Sequence, residues 1–460
     1  MSTEVNEKTE LFERMPIAKA VMQLSIPTVL SSLVMVIYNL ADTYFVGMLN
    51  NPVETAAVTL AAPVMLAFNA VNNLFGVGSS SMMSRGLGMK DYEKVRRVSA
   101  FGFYCSLFFS ILFSVLCTAF RVPLLQVLGA DANTFDATMQ YLTWTVLCGA
   151  APAILNVVLA YMVRAEGASL HASIGTMSGC ILNIILDPIF ILPWGLNMGA
   201  AGAGLATFLS NCLACLYFFV LIIRKKERTF VCLSPKKFGL QKDVVQGVCA
   251  VGIPASIQNL LNVTGMTILN NFTSSYGADA VAAMGIAQKI NMVPMQIAMG
   301  FSQGIMPLVS YNFASGNRKR MKESVVFTVK LVIPVLTGVA ALYFIGSDVL
   351  IRLFMNNQNI IEIGSRFLKG FCLGMPFLCM DFLAVGVFQA IGWGKAAFVF
   401  AILRKIVLEI PALFILNFLF PLYGLAFAQF VAEVVLAIAA VIMLRGILAG
   451  KMGVKTTGIS

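Results

Sequence analysis

The sequence is poor in the residues that soluble chemistry usually needs. It has one histidine, His171, and three tryptophans in 460 residues, and only 12% of its residues are charged. An ordinary soluble domain is about a quarter charged, so that class is excluded. A lone histidine argues against a histidine-based metal or catalytic centre. The ten cysteines are scattered. Cys212 and Cys215 form a C-x-x-C, but inside an apolar run with no second pair, where small polarizable packing residues are the better reading. No nucleophile–base or metal motif stands out, so no enzyme is expected.

What the chain has instead is grease. Hydrophobic residues make up 59% of it and the mean hydropathy is +0.86. Runs of about 20 apolar residues, enough to cross a bilayer as helices, recur throughout. Twelve helices are predicted: 17–48, 53–84, 98–120, 134–164, 169–192, 200–223, 244–272, 279–313, 322–346, 362–391, 395–419 and 423–446. The first apolar run is too long for a signal-peptide core and no cleavage site marks it, so a retained helix is expected.

The net charge of +11 would raise the question of nucleic acid on a soluble protein. Here the basic residues crowd the N-terminus (Lys8, Arg14, Lys19), the even-numbered loops (Arg85, Lys90, Arg96, Lys225, Lys236, Arg318, Lys319 among them) and the C-terminus (Arg445, Lys451, Lys455). The odd-numbered loops hold little beyond Arg121 and Arg352. This is the positive-inside pattern. It predicts a multi-pass protein of the cell membrane with both termini cytoplasmic, surrounded by lipid, with no nucleic-acid partner and monomeric.

The chain repeats itself weakly at about 225 residues. "LSIPTVLSSL" at 24–33 resembles "VGIPASIQNL" at 251–260, "MVRAEGASLHA" at 162–172 matches "VFQAIGWGKAA" at 387–397, and "AAGAGLAT" at 200–207 matches "LYGLAFAQ" at 422–429. Residues 1–223 and 244–460 are therefore expected to be two lobes, joined by the basic linker 224–243. Six helices per copy make the repeats parallel, so the fold predicted is an all-α membrane protein of two six-helix bundles related by a pseudo-twofold along the membrane normal. Transporters of this plan bind substrate between the halves.

Ionisable residues inside membrane helices cost at least roughly 2.5–3.5 kcal/mol on insertion scales and are functional hypotheses by default. The candidates are Asp42, Asp187, Lys289, Asp381, Arg404, Lys405, Glu409 and Glu433, with Glu166 near a helix end. In "ILNIILDPIFIL", Asn183 and Asp187 are four apart and share a helix face. Pro188 lacks an N–H and frees the carbonyl of Ile184. A carboxylate, an amide oxygen and a free carbonyl within one turn suit a hard cation. Burial also disfavours a charged carboxylate, so a proton is the other possible cargo. A kink-capping aspartate is the plainer alternative. Asp381 is either a second ion site or the partner of a buried base. Lys405 and Glu409, four apart, fit a local salt bridge.

Read together, "IP" at 26–27, "ADTYFVG" at 41–47, "RAEG" at 164–167, "NIILDP" at 183–188, "GAAGAGLAT" at 199–207 and "FQAIG" at 388–392 resemble the multidrug and toxic compound extrusion (MATE) family, in its MepA-like bacterial branch. The resemblance implies an antiporter that exports bulky, often cationic amphiphiles against inflowing Na⁺ or H⁺, with no other cofactor. It implies a cation site of Asp42, Asn183, Asp187 and Thr207, and a transport-associated acid at Glu166. The stretch after Pro254, "ASIQNLLNV", has no acid. A C-lobe Na⁺ site built with a helix-7 glutamate, as elsewhere in the family, is therefore not expected.

Flexible thioethers and aromatic faces suit promiscuous cation binding. A substrate cavity is expected from Met35, Phe68, Asn69, Asn73, Gln288, Met292 and Met295, with the amides as possible interhelical bridges instead. Pro27 could let the first helix bend. A flippase for a lipid-linked sugar, or an exporter of another endogenous metabolite, is the main alternative function. A non-transporting receptor or scaffold would leave the acidic cluster unexplained.

Overall fold

The structure, a computed structural model, describes residues 10–49, 51–226 and 228–450. Lys8, Lys451 and Lys455 of the charge pattern lie outside the described residues. Twelve long helical segments carry the fold. In the first half they are α1 (Ile17–Gly47), α2 (Pro52–Gly88), α3 (Tyr92–Ala119), α4 (Phe135–Cys148 and Ala150–Ala165), α5 (Ser169–Ile191) and α6 (Gly199–Arg224). In the second they are α7 (Lys242–Ser274), α8 (Ala278–Ala314), α9 (Arg318–Ile345), α10 (Gln358–Ala390), α11 (Gly394–Ile402, Leu403–Glu409 and Ile410–Leu419) and α12 (Gly424–Leu448).

Ten of these are long and apolar enough to span a bilayer, and the two pieces of α4, bent by 50°, make an eleventh. Only α11 departs from that composition, because Arg404, Lys405 and Glu409 fall in its middle. The sequence missed two short helices, Arg121–Val127 after α3 and Ser347–Arg352 after α9. They are too short to show a period, and they occupy equivalent places in the two halves.

The duplication is written into the backbone. Lys90 and Gly316, Gly167 and Gly392, and Asn197 and Leu422 each stand about one repeat apart, and all six have positive φ. Gly167 and Gly392 end α4 and α10 in the left-handed conformation that terminates helices. Asp91 and Asn317 then start α3 and α9 in the same way, each accepting from the backbone N–H three residues on.

Within the first half, α5 packs against α1, α4 and α6. Within the second, α10 packs against α8, α9 and α12, and α7 against α11. The halves meet where α1 crosses α8 and where α2 crosses α7 and α8. The close backbone contacts between them lie toward the end that carries the basic loops. There glycines bring backbones together: Gly78 lies on Val248, Gly88 on Tyr311, Gly252 on Leu74 and Gly304 on Ser25.

Hydrogen bonds stitch the same seam. Ser256 donates to Ala70 O at 2.6 Å, Arg164 to Gln303 at 3.4 Å, and Ser81 to Gln389 O. The turn Glu10–Arg14 is wedged into it. Phe12 is buried and stacks on Tyr311 at 4.7 Å, and Leu11 and Phe12 lie against Gly167. Arg320 donates to the carbonyls of Phe12 and Met15, both at 2.6 Å, and Tyr311 donates to Glu13 at 2.7 Å. Toward the other end the facing stretches of α1, α2, α7 and α8 are more open, with Ile37, Tyr44, Leu260 and Met266 exposed.

Candidate functional site

In the first half, α5 delivers Asn183 and Asp187 to one face, pointing into the bundle, 2% and 0% exposed. The helix runs through Pro188 to Ile191, so the proline does not break it. With its nitrogen toward Asp187, the Asn183 amide donates to Oδ2 at 2.8 Å and its oxygen accepts from the Thr207 N–H on α6 at 3.1 Å. Turned over, the nitrogen donates to Thr207 Oγ1 at 3.4 Å and the amide oxygen faces the carboxylate. Asp42, half-buried on α1, lies within electrostatic range of Asp187. The four residues expected to form one cluster are thus gathered from three helices.

Two members went unpredicted. Tyr38, one turn before Asp42, and Tyr141 on α4 both lie within electrostatic range of both carboxylates. A tyrosine in a membrane helix reads as an interfacial aromatic, and only tertiary packing brings Tyr141 here. Among the described residues no three His, Cys, Asp or Glu side chains converge as a metal-ligating group. A cation held here would rest on two carboxylates and neutral oxygens, a donor set that fits a hard ion such as Na⁺.

In the second half, Asp381 resolves toward the paired alternative. Arg404 Nη1 stands 3.1 Å from Asp381 Oδ2, and Nη2 donates to Glu433 Oε1 at 2.7 Å. Lys405 pairs with Glu409 at 2.7 Å, as their spacing predicts.

Glu166 is buried, with Thr229 Oγ1 donating to Oε1 and the Phe230 N–H to Oε2, both at 2.8 Å. These bonds fasten the basic linker to the end of α4.

Among the expected cavity residues, Phe68 lies deepest. It is 5% exposed and packs edge-on against Phe113 of α3, inside the first bundle. Asn69, beside it, is exposed, and Asn73, Met35, Met292 and Met295 are partly so. Gln288 reaches Asn270 of α7 at 3.4 Å, the amide bridge kept open as an alternative. Cys212 and Cys215 are free thiols.

The MatE family model matches the chain twice, over residues 27–189 and 254–415. A multidrug export protein MepA of Staphylococcus haemolyticus (strain JCSC1435) is 35% identical over 437 residues, covering 95% of each chain. One of Staphylococcus aureus (strain MRSA252) is 35% identical over 442 residues, covering 95% of this chain and 96% of its own. Among solved structures, an outward-facing multidrug resistance MATE family transporter of the MOP superfamily superposes with a TM-score of 0.91. It is 24% identical and covers 96% of this chain and 98% of its own.

Proposed function

The chain belongs to the MATE family of transporters, and on that premise we propose that it is a secondary antiporter of the cell membrane. It expels bulky amphiphilic or cationic compounds in exchange for inflowing Na⁺ or H⁺. The observation that carries this reading is the convergence of Asp42, Asn183, Asp187 and Thr207 from α1, α5 and α6. The MepA relatives, which are multidrug export proteins, favour drug-like cargo over a lipid-linked sugar.

The ion acts through the Asn183 amide and the Asp42–Asp187 pair. Without it, the amide nitrogen satisfies Asp187. With Na⁺ or a proton on the carboxylate, the amide oxygen is the better neighbour, because a cation or an O–H needs an acceptor. Neutralising the pair removes the repulsion between α1 and α5. The freed energy is available to shift α1, which also crosses α8 in the other lobe. Pro27, on the seam stretch of α1, is where that helix can yield.

The basic loops favour an orientation with the seam at the cytoplasmic end of the helices and both termini on that side. The parted end then faces outward, and inward opening requires the Glu10–Arg14 wedge to leave. Drug and ion favour opposite arrangements, so one is released as the other binds. One charge moving through about 100 mV supplies roughly 2.3 kcal/mol, more than tenfold in drug ratio.

The test is ethidium efflux from proteoliposomes under imposed Na⁺ or pH gradients. Loss of gradient-driven efflux in Asp42→Asn and Asp187→Asn is expected. Undiminished efflux by both would sink the cation site, and the gradient that drives the wild type names the ion.

A further inference from the structure

The C-lobe encloses more acid than base. Asp381 on α10, Arg404, Lys405 and Glu409 on α11, and Glu433 on α12 meet where three helices pack together. Asp381, Arg404 and Glu433 are 1%, 3% and 0% exposed. Lys405 and Glu409 neutralise each other at 2.7 Å, and the lysine chain lies against Gly265 of α7. The remaining three do not balance. Two carboxylates share one guanidinium, which stays protonated in proteins, and one negative charge is left over.

That charge has no visible counterpart. The charged groups in range of Asp381 and Glu433 are Arg404, Lys405 and Glu409, besides each other. Lys289 on α8 and Lys330 on α9 are not among them, and Lys330 is exposed. Among the described residues, Glu433 Oε2 and both Asp381 oxygens meet no hydrogen-bond donor, and Arg404 Nε and Nη1 meet no acceptor, Nη1 holding Asp381 Oδ2 by charge alone. An ionised oxygen with no donor in a dry membrane interior is the costliest arrangement available to it. Two carboxylates on one site resolve such a conflict by keeping a proton. A metal ion is the poorer fit, because Arg404 already stands between the carboxylates and only three of their oxygens lack a hydrogen bond, fewer than hard cations take. The backbone is unusual at the same place: Leu403–Glu409 is a π-helical stretch, a distortion frequent at functional sites.

We propose that the Asp381–Arg404–Glu433 cluster is a proton-binding site, taking up one exchangeable proton shared between Asp381 and Glu433. The step is simple protonation: an O–H bond forms on one carboxylate oxygen, the proton comes from water, and the cluster becomes neutral. The site stands apart from the N-lobe cation reading and does not depend on it.

Charge counting makes an unusual demand. Either single amide substitution, Asp381→Asn or Glu433→Gln, leaves one carboxylate on one guanidinium, which is neutral without a proton. Each alone should therefore abolish proton uptake, whichever oxygen carried it. The experiment is infrared difference spectroscopy on the full chain in nanodiscs, stepped from about pH 5 to about pH 9, where perturbed carboxyls titrate. It is run in the wild type and in a D42N/D187N background that silences the N-lobe acids. One protonated-carboxyl band per chain is expected in that background, falling to none when E433Q or D381N is added, and unmoved by Na⁺. No band in the background, a band that survives both substitutions, or a band removed by Na⁺ at constant pH would each overturn the proposal. Size-exclusion chromatography checks folding, and if one amide variant fails to fold the other decides. If neither folds, the background spectrum and its response to Na⁺ decide.

Discussion

The two lobes share a scaffold and divide the chemistry. In the N-lobe the buried acids are met by an amide, a hydroxyl and two tyrosines, with no fixed cation among them. In the C-lobe they are met by Arg404, which occupies the centre of the cluster. An acid surrounded by neutral oxygens is competent to exchange a mobile cation, whereas one clamped by a guanidinium has its cation built in. The two copies of the bundle thus carry different charge sets: acids without a built-in cation in one, and two acids sharing one guanidinium in the other. The matching positions agree: Asp187 has its counterpart near Ala412, and Asp42 near Asn270 and Asn271.

The comparison can be broken from either side. The largest effect is expected from Asp187→Asn, which removes the fully buried N-lobe acid. Gradient-driven drug accumulation should fall by more than tenfold, the share supplied by one charge across about 100 mV, as read by ethidium efflux. Next comes Arg404→Leu. Breaking a buried ion pair on one side costs about 3–5 kcal/mol, so its thermal unfolding temperature in detergent should drop sharply while that of Thr207→Ala stays near the wild type. If both lobes tolerate loss of their central group equally, the division is wrong. At the seam, Arg320→Ala deletes donors to three N-terminal carbonyls, those of Leu11, Phe12 and Met15, and hydrogen bonds to charged groups are worth about 1.5–3 kcal/mol. Spin-label distances across the basic ends should lengthen and spread. The smallest effect is expected from Thr207→Ala, about 1 kcal/mol, seen as a several-fold rise in the ion concentration giving half-maximal efflux.

Much of this was legible because it is local. The Asn183–Asp187 spacing is one helical turn, and caps and glycines at matching offsets announce the repeat. The residues that escaped depend on which way a helix is turned. In lipid both faces of a helix are apolar, so nothing in the sequence distinguishes Phe68, packed on Phe113, from a residue on a cavity wall. Tyr141 and Glu433 were missed as partners for the same reason: their neighbours are far off in sequence and meet them only across helices. Glu166 sits in a family motif, yet its carboxylate is spent on the linker, a role that only the partners Thr229 and Phe230 reveal.

The seam between the lobes combines hydrogen bonds and glycine contacts with buried apolar packing, Phe12 stacked on Tyr311 among it. Each such bond nets only about 0.5–1.5 kcal/mol, because water replaces it when it breaks. Releasing the wedge therefore breaks these bonds one by one and also uncovers the apolar surface of Leu11 and Phe12. Motions of that kind run in microseconds to milliseconds. On the proposed antiport cycle the seam thus sets a clock: its bonds and buried wedge together fix how long the closed arrangement lasts.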